Sequence, residues 1–194
     1  MSNKLLNKRI AILVTDGVEQ AELEGPRKAL KEEGAEAVIV SLHPGKIQAM
    51  QHADKGDQFE VDDTLDHARP SQFDALVIPG GLINPDTLRS TKEAVEFVKG
   101  FAQEEKPIAA ICHGPWLLIE AGIVRGRKLT SWPAIQTDVK NAGGNWVDES
   151  VVVDNGVITS RKPADIPQFN EKMIEEFVEG RHAGMSSSHQ HQAA

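Results

Sequence analysis

One cysteine, Cys112, stands in 194 residues. That scarcity excludes an intramolecular disulfide and fits a reducing compartment. Long apolar runs are also missing, and none approaches the ~20 residues that span a bilayer. Met1 to Arg9 is polar and basic with only Leu5 and Leu6 apolar, so no signal-peptide core is expected there. Basic charge is in deficit too. A formal net charge of −8 and a pI near 5.4 argue against a nucleic-acid groove. The chain shows no internal repeat and no linker composition. These absences leave a cytoplasmic protein with a single domain over residues 1–180 as the expectation. Hydrophobic residues at 40% and charged residues at 26% are ordinary globular values, enough for a sizeable core. From Arg181 the composition falls to GMSSSHQHQAA, so residues 181–194 are expected to form a disordered polar tail. His189 and His191 lie in that tail and are read as solvated, not as metal ligands.

What is present alternates between strand and helix signals. Buried strands are expected at Arg9–Thr15, Ala37–Leu42, Asp74–Ile78 and Pro107–Ile111, each closed by a Gly, Pro or Asp turn signal or by Cys112. Weaker strand signals fall at Lys46–Met50 and Phe59–Val61. A helix is expected over Glu22–Glu33 with Leu23, Pro26, Ala29 and Leu30 on one side and Gly34 as its stop. Ser90-Thr91-Lys92-Glu93 reads as a capping box ahead of Ala94, Phe97, Val98 and Phe101. Short helices follow at Trp116–Ala121 and within Trp132–Ala142. Further strands are expected at Asn145–Val147, Val151–Asp154 and Val157–Ser160, the last two joined by the hairpin signal Asn155-Gly156. A last helix is capped by Asp165 and turns Ile166, Phe169, Met173, Phe177 and Val178 inward. This order predicts an α/β three-layer sandwich with a mainly parallel sheet.

Open parallel sheets gather ligands at the carboxyl ends of their strands. Those ends supply Asp16, Gly17, Glu19 and Glu22, then Gly80 and Gly81, then Cys112 and His113. Cys112 falls where a buried strand turns into a helix, a nucleophile elbow whose helix dipole favours the thiolate. A thiol pKa below the free value of ~8.5 is therefore expected. A carboxylic acid beside the sulfur would donate a hydrogen bond to the thiolate only if burial kept it protonated. Glu22 and Glu19, three apart, either serve that role or merely complement the helix start. Gly80 and Gly81 can bring backbone N–H groups to a substrate oxygen, with the N–H of His113 as a further oxyanion donor. Adjacent residues at a turn rarely point the same way, so the His113 ring need not meet the sulfur. Asp86, in the loop after Gly81, is a candidate carboxylate to orient it or else leaves it packed locally. No metal ligand set lies on the strand ends, so no metal and no cofactor is expected.

These residues resemble the ThiJ/PfpI family of the class I glutamine amidotransferase-like superfamily. The likeness rests on Asp16-Gly17-Val18-Glu19 with Glu22 and Pro26, Val77-Ile78-Pro79-Gly80-Gly81, and Ala110-Ile111-Cys112-His113-Gly114-Pro115. Gly126–Ser131, Asp138–Gly143 and Ser160–Asp165 extend it, so that it runs from about Lys8 to Glu179. The resemblance implies a flavodoxin-like fold, a reactive cysteine hydrogen-bonded to the glutamate matching Glu22, and homo-oligomers, either dimers or hexamers. In the peptidase branch a cysteine–histidine pair is completed by an acidic residue of a neighbouring subunit, at the position matching Asp86. Glutaminase activity is not expected. That chemistry needs a histidine downstream of the cysteine, and after His113 histidines occur only at His182, His189 and His191. The expected function is a stress-defence enzyme using Cys112 on small carbonyl adducts, a glyoxalase or deglycase of methylglyoxal-type adducts on proteins or nucleotides. An oligomeric cysteine peptidase and a redox-responsive chaperone are the alternatives.

Overall fold

The computed structural model describes residues 3–185. His189, His191 and the rest of 186–194 therefore lie outside it. The chain runs β1 (Arg9–Leu13), β2 (Val18–Glu19), α1 (Gln20–Glu32), β3 (Glu36–Ser41), β4 (Lys46–Gln51), β5 (Asp54–Glu60) and β6 (Asp63–Thr64). It continues β7 (Ala75–Ile78), α2 (Ile83–Arg89), α3 (Lys92–Gln103), β8 (Ile108–Ile111), α4 (Pro115–Glu120), β9 (Lys128–Leu129) and α5 (Gln136–Asn141). β10 (Asn145–Trp146), β11 (Val151–Asp154), β12 (Val157–Ser160) and α6 (Ile166–Glu179) complete it.

Seven strands form the central sheet in the order β11-β12-β8-β7-β1-β3-β6, and only β11 pairs antiparallel. Alternation along each strand feeds two cores. Ala11, Leu13, Val38, Val40, Leu76 and Ile78 face one side with Phe97, Phe101 and Leu117. Ile10, Ile12, Ile39, Val77, Ala109 and Ile111 face the other with Leu23, Leu30, Phe169 and Phe177. A sheet apolar on both faces must be covered by helices on both, which yields the three-layer α/β sandwich. β1, β7, β8 and β12 run in one direction, so their carboxyl ends and the loops that follow share one edge.

Several details depart from the sequence reading. The Ser90 box is not made: Thr91 precedes α3 without a side-chain cap, and the Ser90 and Thr91 hydroxyls donate to Thr87 O at the end of α2. Asp165 precedes α6 but spends its carboxylate on Arg161, at 2.8 and 3.1 Å. Val178 is exposed instead of inward. Finally, 181–185 is no tail: His182 N donates to Glu105 O and Gly184 N to Glu105 Oε1, both at 2.8 Å. Arg127 Nη2 donates to Met185 O, and the Met185 side chain is buried in the first core. A methionine with a buried arginine to meet its carbonyl is an anchor that the run of small polar residues after it disguises.

Candidate active site

Cys112 sits between β8 and α4 with φ 63, a left-handed conformation that costs a residue with a Cβ about 1–3 kcal/mol. The neighbours impose it. Cys112 N donates to Ser160 O at 3.0 Å, and Cys112 O accepts Trp132 N at 2.8 Å. Both backbone groups are thus clamped from outside the turn, and Cys112 lines a cleft at this end of the sheet.

Gly80 fills the space between Cys112 and Glu22. A Cβ there would lie 2.5 Å from Glu22 Oε2 and 2.6 Å from Cys112 Cβ, so glycine lets thiol and carboxyl flank one point. Gly80 N donates to Glu22 Oε2 at 2.9 Å. This corrects its assignment to the oxyanion hole, because its N–H is already used by the carboxylate. The N–H groups of Gly81 and His113 pull the sulfur toward its anionic form, and the Gly81 N–H also favours an ionised Glu22; their place beside the sulfur keeps these two as the oxyanion candidates. Gly81 is fixed as glycine by φ 83 and by Gly17 O, which a Cβ would approach to 2.5 Å. Asn84, fully buried, secures this turn. It accepts from Thr15 N at 2.7 Å and donates to Pro79 O and Gly80 O at 3.1 and 3.0 Å.

Glu22 is fully buried, and burial pushes its carboxyl up from 4.5 to about 8, with the Glu19 charge adding to the rise. It therefore holds its proton at neutral pH, as a donor to a thiolate must. Its Oε1 has no hydrogen-bond partner. Burial also pushes the Cys112 thiol up, and an ionised Glu22 pushes it further. Burial therefore opposes the fall in the thiol's pKa that the helix start leads one to expect. α4 is only six residues long and its first N–H groups are few.

The His113 ring does meet the sulfur, with Nδ1 3.3 Å from Sγ, contrary to the expectation that neighbours at a turn diverge. The left-handed turn at Cys112 brings the two side chains together. Burial lowers the imidazole's pKa, which favours the neutral form, and the ring stacks on Trp132 at 5.9 Å and lies 5.0 Å from Trp116. Asp86 stands exposed on the short helix α2, not in a loop, and is absent from the cleft lining. Glu19 lines the cleft with its Oε2 accepting His52 N at 3.0 Å. Asp16 is a turn residue, accepting Gln48 N at 2.7 Å.

Glu19, Glu22, Gly81, Cys112 and His113 wall a cleft of about 190 Å³ that also includes His52, Leu82, Trp132 and Pro163. None of those four is singled out for the site by the sequence: His52 tips a hairpin, Trp132 reads as a helix start, and Pro163 enters only within the Ser160–Asp165 match. A larger hollow of about 910 Å³ over α1 is lined by residues such as Arg27, Lys28 and Phe59 and holds no thiol, hydroxyl or imidazole. Among the described residues, one trio of metal-ligating side chains lies close together, Glu176, Glu179 and His182. It belongs to the far end of α6, ~20 Å along the helix axis from its start. The arrangement at the cleft suits nucleophilic addition to a carbonyl, with a neutral base, a proton donor and two backbone N–H groups around one sulfur.

A profile of the DJ-1/PfpI family matches residues 8–176. The chain is 41% identical over 170 residues to the Escherichia coli (strain K12) protein/nucleic acid deglycase 2, covering 87% of this chain and 97% of that one. It is 40% identical over 169 residues to Bacillus subtilis (strain 168) YraA, whose name proposes a cysteine protease, covering 87% and 98%. Among solved structures, a two-domain Anabaena variabilis protein with DJ-1/ThiJ/PfpI-like and ferritin-like domains superposes with a TM-score of 0.81 at 37% identity. That match covers 87% of this chain and 49% of the other.

Proposed function

The chain belongs to the DJ-1/PfpI family, and on that premise we propose that it is a cytoplasmic, stress-defence deglycase that removes methylglyoxal-type adducts from amines. The observation that carries this reading is a fully buried carboxyl, Glu22, held by Gly80 N at 2.9 Å beside a thiol on a left-handed elbow, where burial pushes the carboxyl up to about 8. An acid–base group works best when its pKa lies near the operating pH. His113 Nδ1 takes the thiol proton, and the thiolate adds to the carbonyl carbon that the adduct exposes on releasing its amine. The carbonyl π pair moves onto oxygen beside the N–H groups of Gly81 and His113. Glu22 then carries a proton between the adjacent carbons, and water cleaves the resulting thioester to a hydroxy acid and the free thiol. Cleft size supports a small substrate, since ~300 Å³ is the lower end for drug-sized ligands and this cleft is about 190 Å³.

The test is release of lactate and free amine from methylglyoxal-treated N-acetyl-lysine. Cys112→Ala should abolish it, and Glu22→Gln should lower kcat about a hundredfold, equivalent to about 2.7 kcal/mol. Glu22→Gln turning over at the native rate would make Glu22 a helix-start residue only and remove the mechanism. A peptidase reading is favoured by the 3.3 Å Cys112–His113 contact, with Asp86 exposed for a second subunit to use. Asp86→Ala should then cost casein hydrolysis but spare lactate release. Holdase activity surviving in Cys112→Ala would instead support the chaperone reading.

A further inference from the structure

Where α6 ends, three side chains converge that the cleft does not use. Glu176 and Glu179 stand three apart on its last turn and so share a face. Gly180 then reverses the chain with φ 86, which returns His182 onto them. Their ligating atoms all lie within 4.8 Å of one another. The family match stops at residue 176, so Glu179 and His182 belong to a segment beyond it.

The imidazole is held, not loose. His182 N donates to Glu105 O, and a Cβ on Gly156 would come within 3.0 Å of three side-chain atoms of His182, so the ring rests on the β11–β12 turn. Further on, Arg127 grips Met185 O. His182 Nε2 is sealed from solvent and lies 3.2 Å from Glu176 Oε2, an ion pair when the imidazole is protonated although the contact lacks hydrogen-bond geometry. In the neutral imidazole that nitrogen turns a lone pair toward two carboxylates, an arrangement that a cation would satisfy.

We propose that Glu176, Glu179 and His182 bind a divalent transition-metal ion, with zinc as the type, which staples the C-terminal segment to α6. One imidazole and two carboxylates neutralise such an ion and match the three-ligand zinc pattern, with water in a fourth position. Zinc bonds of about 2.0–2.2 Å require ligand atoms roughly 3.5 Å apart, and the exposed Glu179 can close the remaining distance by changing rotamer. The imidazole disfavours calcium and magnesium, which take oxygen ligands.

The full chain, reduced and stripped with chelator, is titrated with ZnCl₂ by calorimetry. One ion per chain in the micromolar range, with a raised melting temperature, is expected. His182→Gln and Glu179→Gln should each weaken binding at least about tenfold, while circular dichroism confirms that each variant folds. Cys112→Ser should bind as the native chain does, which separates this site from the cleft thiol. A chain ending at Met185, lacking His189 and His191, should also bind unchanged. Full-affinity binding by His182→Gln, loss of binding on ending the chain at Met185, or no stoichiometric binding at millimolar zinc would each overturn the proposal.

Discussion

Glu22 and Cys112 occupy one buried space, and their protonation is linked. Because the folded state raises the Glu22 pKa from 4.5 to about 8, it binds that proton more tightly than the unfolded chain does. The stability this confers is fully present below the unfolded pKa and is lost as pH rises through about 8. Melting temperature should therefore fall between about pH 5 and about pH 9, by the equivalent of a few kcal/mol. In Glu22→Gln, which cannot ionise, the fall should be smaller, and an identical fall would mean Glu22 is not the group responsible. The thiol responds in the opposite sense. An ionised Glu22 raises the Cys112 pKa, so the midpoint of iodoacetamide alkylation against pH should move down in Glu22→Gln. The identity of both residues was legible in the sequence, since Cys112 ends a buried strand and Glu22 opens a helix at the same sheet edge. Their ionisation was not, because it depends on burial, which spacing along a chain does not report.

At the scale of elements, the strands were legible wherever apolar residues ran unbroken, as in Ile10–Leu13, Ala75–Ile78 and Ile108–Ile111. Both faces of those strands are buried, so no polar interruption blurs them. The short helix α2 was not legible. Its seven residues include only Ile83, Pro85 and Leu88 as apolar positions, too few to set a period. It nevertheless carries Asn84, which holds the Pro79-Gly80-Gly81 turn in the shape that leaves Gly80 N on Glu22 and Gly81 N beside both Glu22 and the sulfur. Asn84→Ala would strand Thr15 N and the Pro79 carbonyl in the interior and leave Gly80 O only its 3.5 Å bond from Glu19 N, at about 1–3 kcal/mol for each group left unpaired. Urea unfolding should show that loss. Activity in the surviving folded fraction should drop in kcat more than in KM, because the turn positions donors for the reacting oxygen instead of binding substrate. An unchanged kcat would mean the turn keeps its form without Asn84. Gly81→Ala tests the same element more severely, since φ 83 and the Gly17 carbonyl both oppose a Cβ.

Seen as a whole molecule, the fold depends on a contact that closes late in the chain. Composition alone marks everything after Arg181 as solvated, because serine, glutamine and histidine dominate it and one methionine does not form an apolar run. The described end at Met185 shows why composition fails there. Arg127, 5% exposed, is a buried guanidinium. Its donors are met by Ile123 O, by Asp154 O at 2.9 Å and by Met185 O. Asn155 Nδ2 donates to Ala183 O at 3.3 Å, so the same segment also ties down the β11–β12 turn. A chain ending at Gly180 would leave part of the Arg127 guanidinium unpaired at about 1–3 kcal/mol. It would also expose the core that the Met185 side chain covers, at about 1.5–3 kcal/mol. A chain ending at Met185 keeps both contacts. Denaturant titration of the two truncated chains beside the full one should therefore place the Gly180 form roughly 2.5–6 kcal/mol lower and the Met185 form level with the full chain. Equal stability of the two truncated forms would mean that 181–185 contributes nothing to the fold. Lactate release by the Gly180 form should persist wherever it remains folded, because the cleft draws no residue from beyond Pro163. Catalysis and C-terminal anchoring are thus separable, at opposite ends of α6.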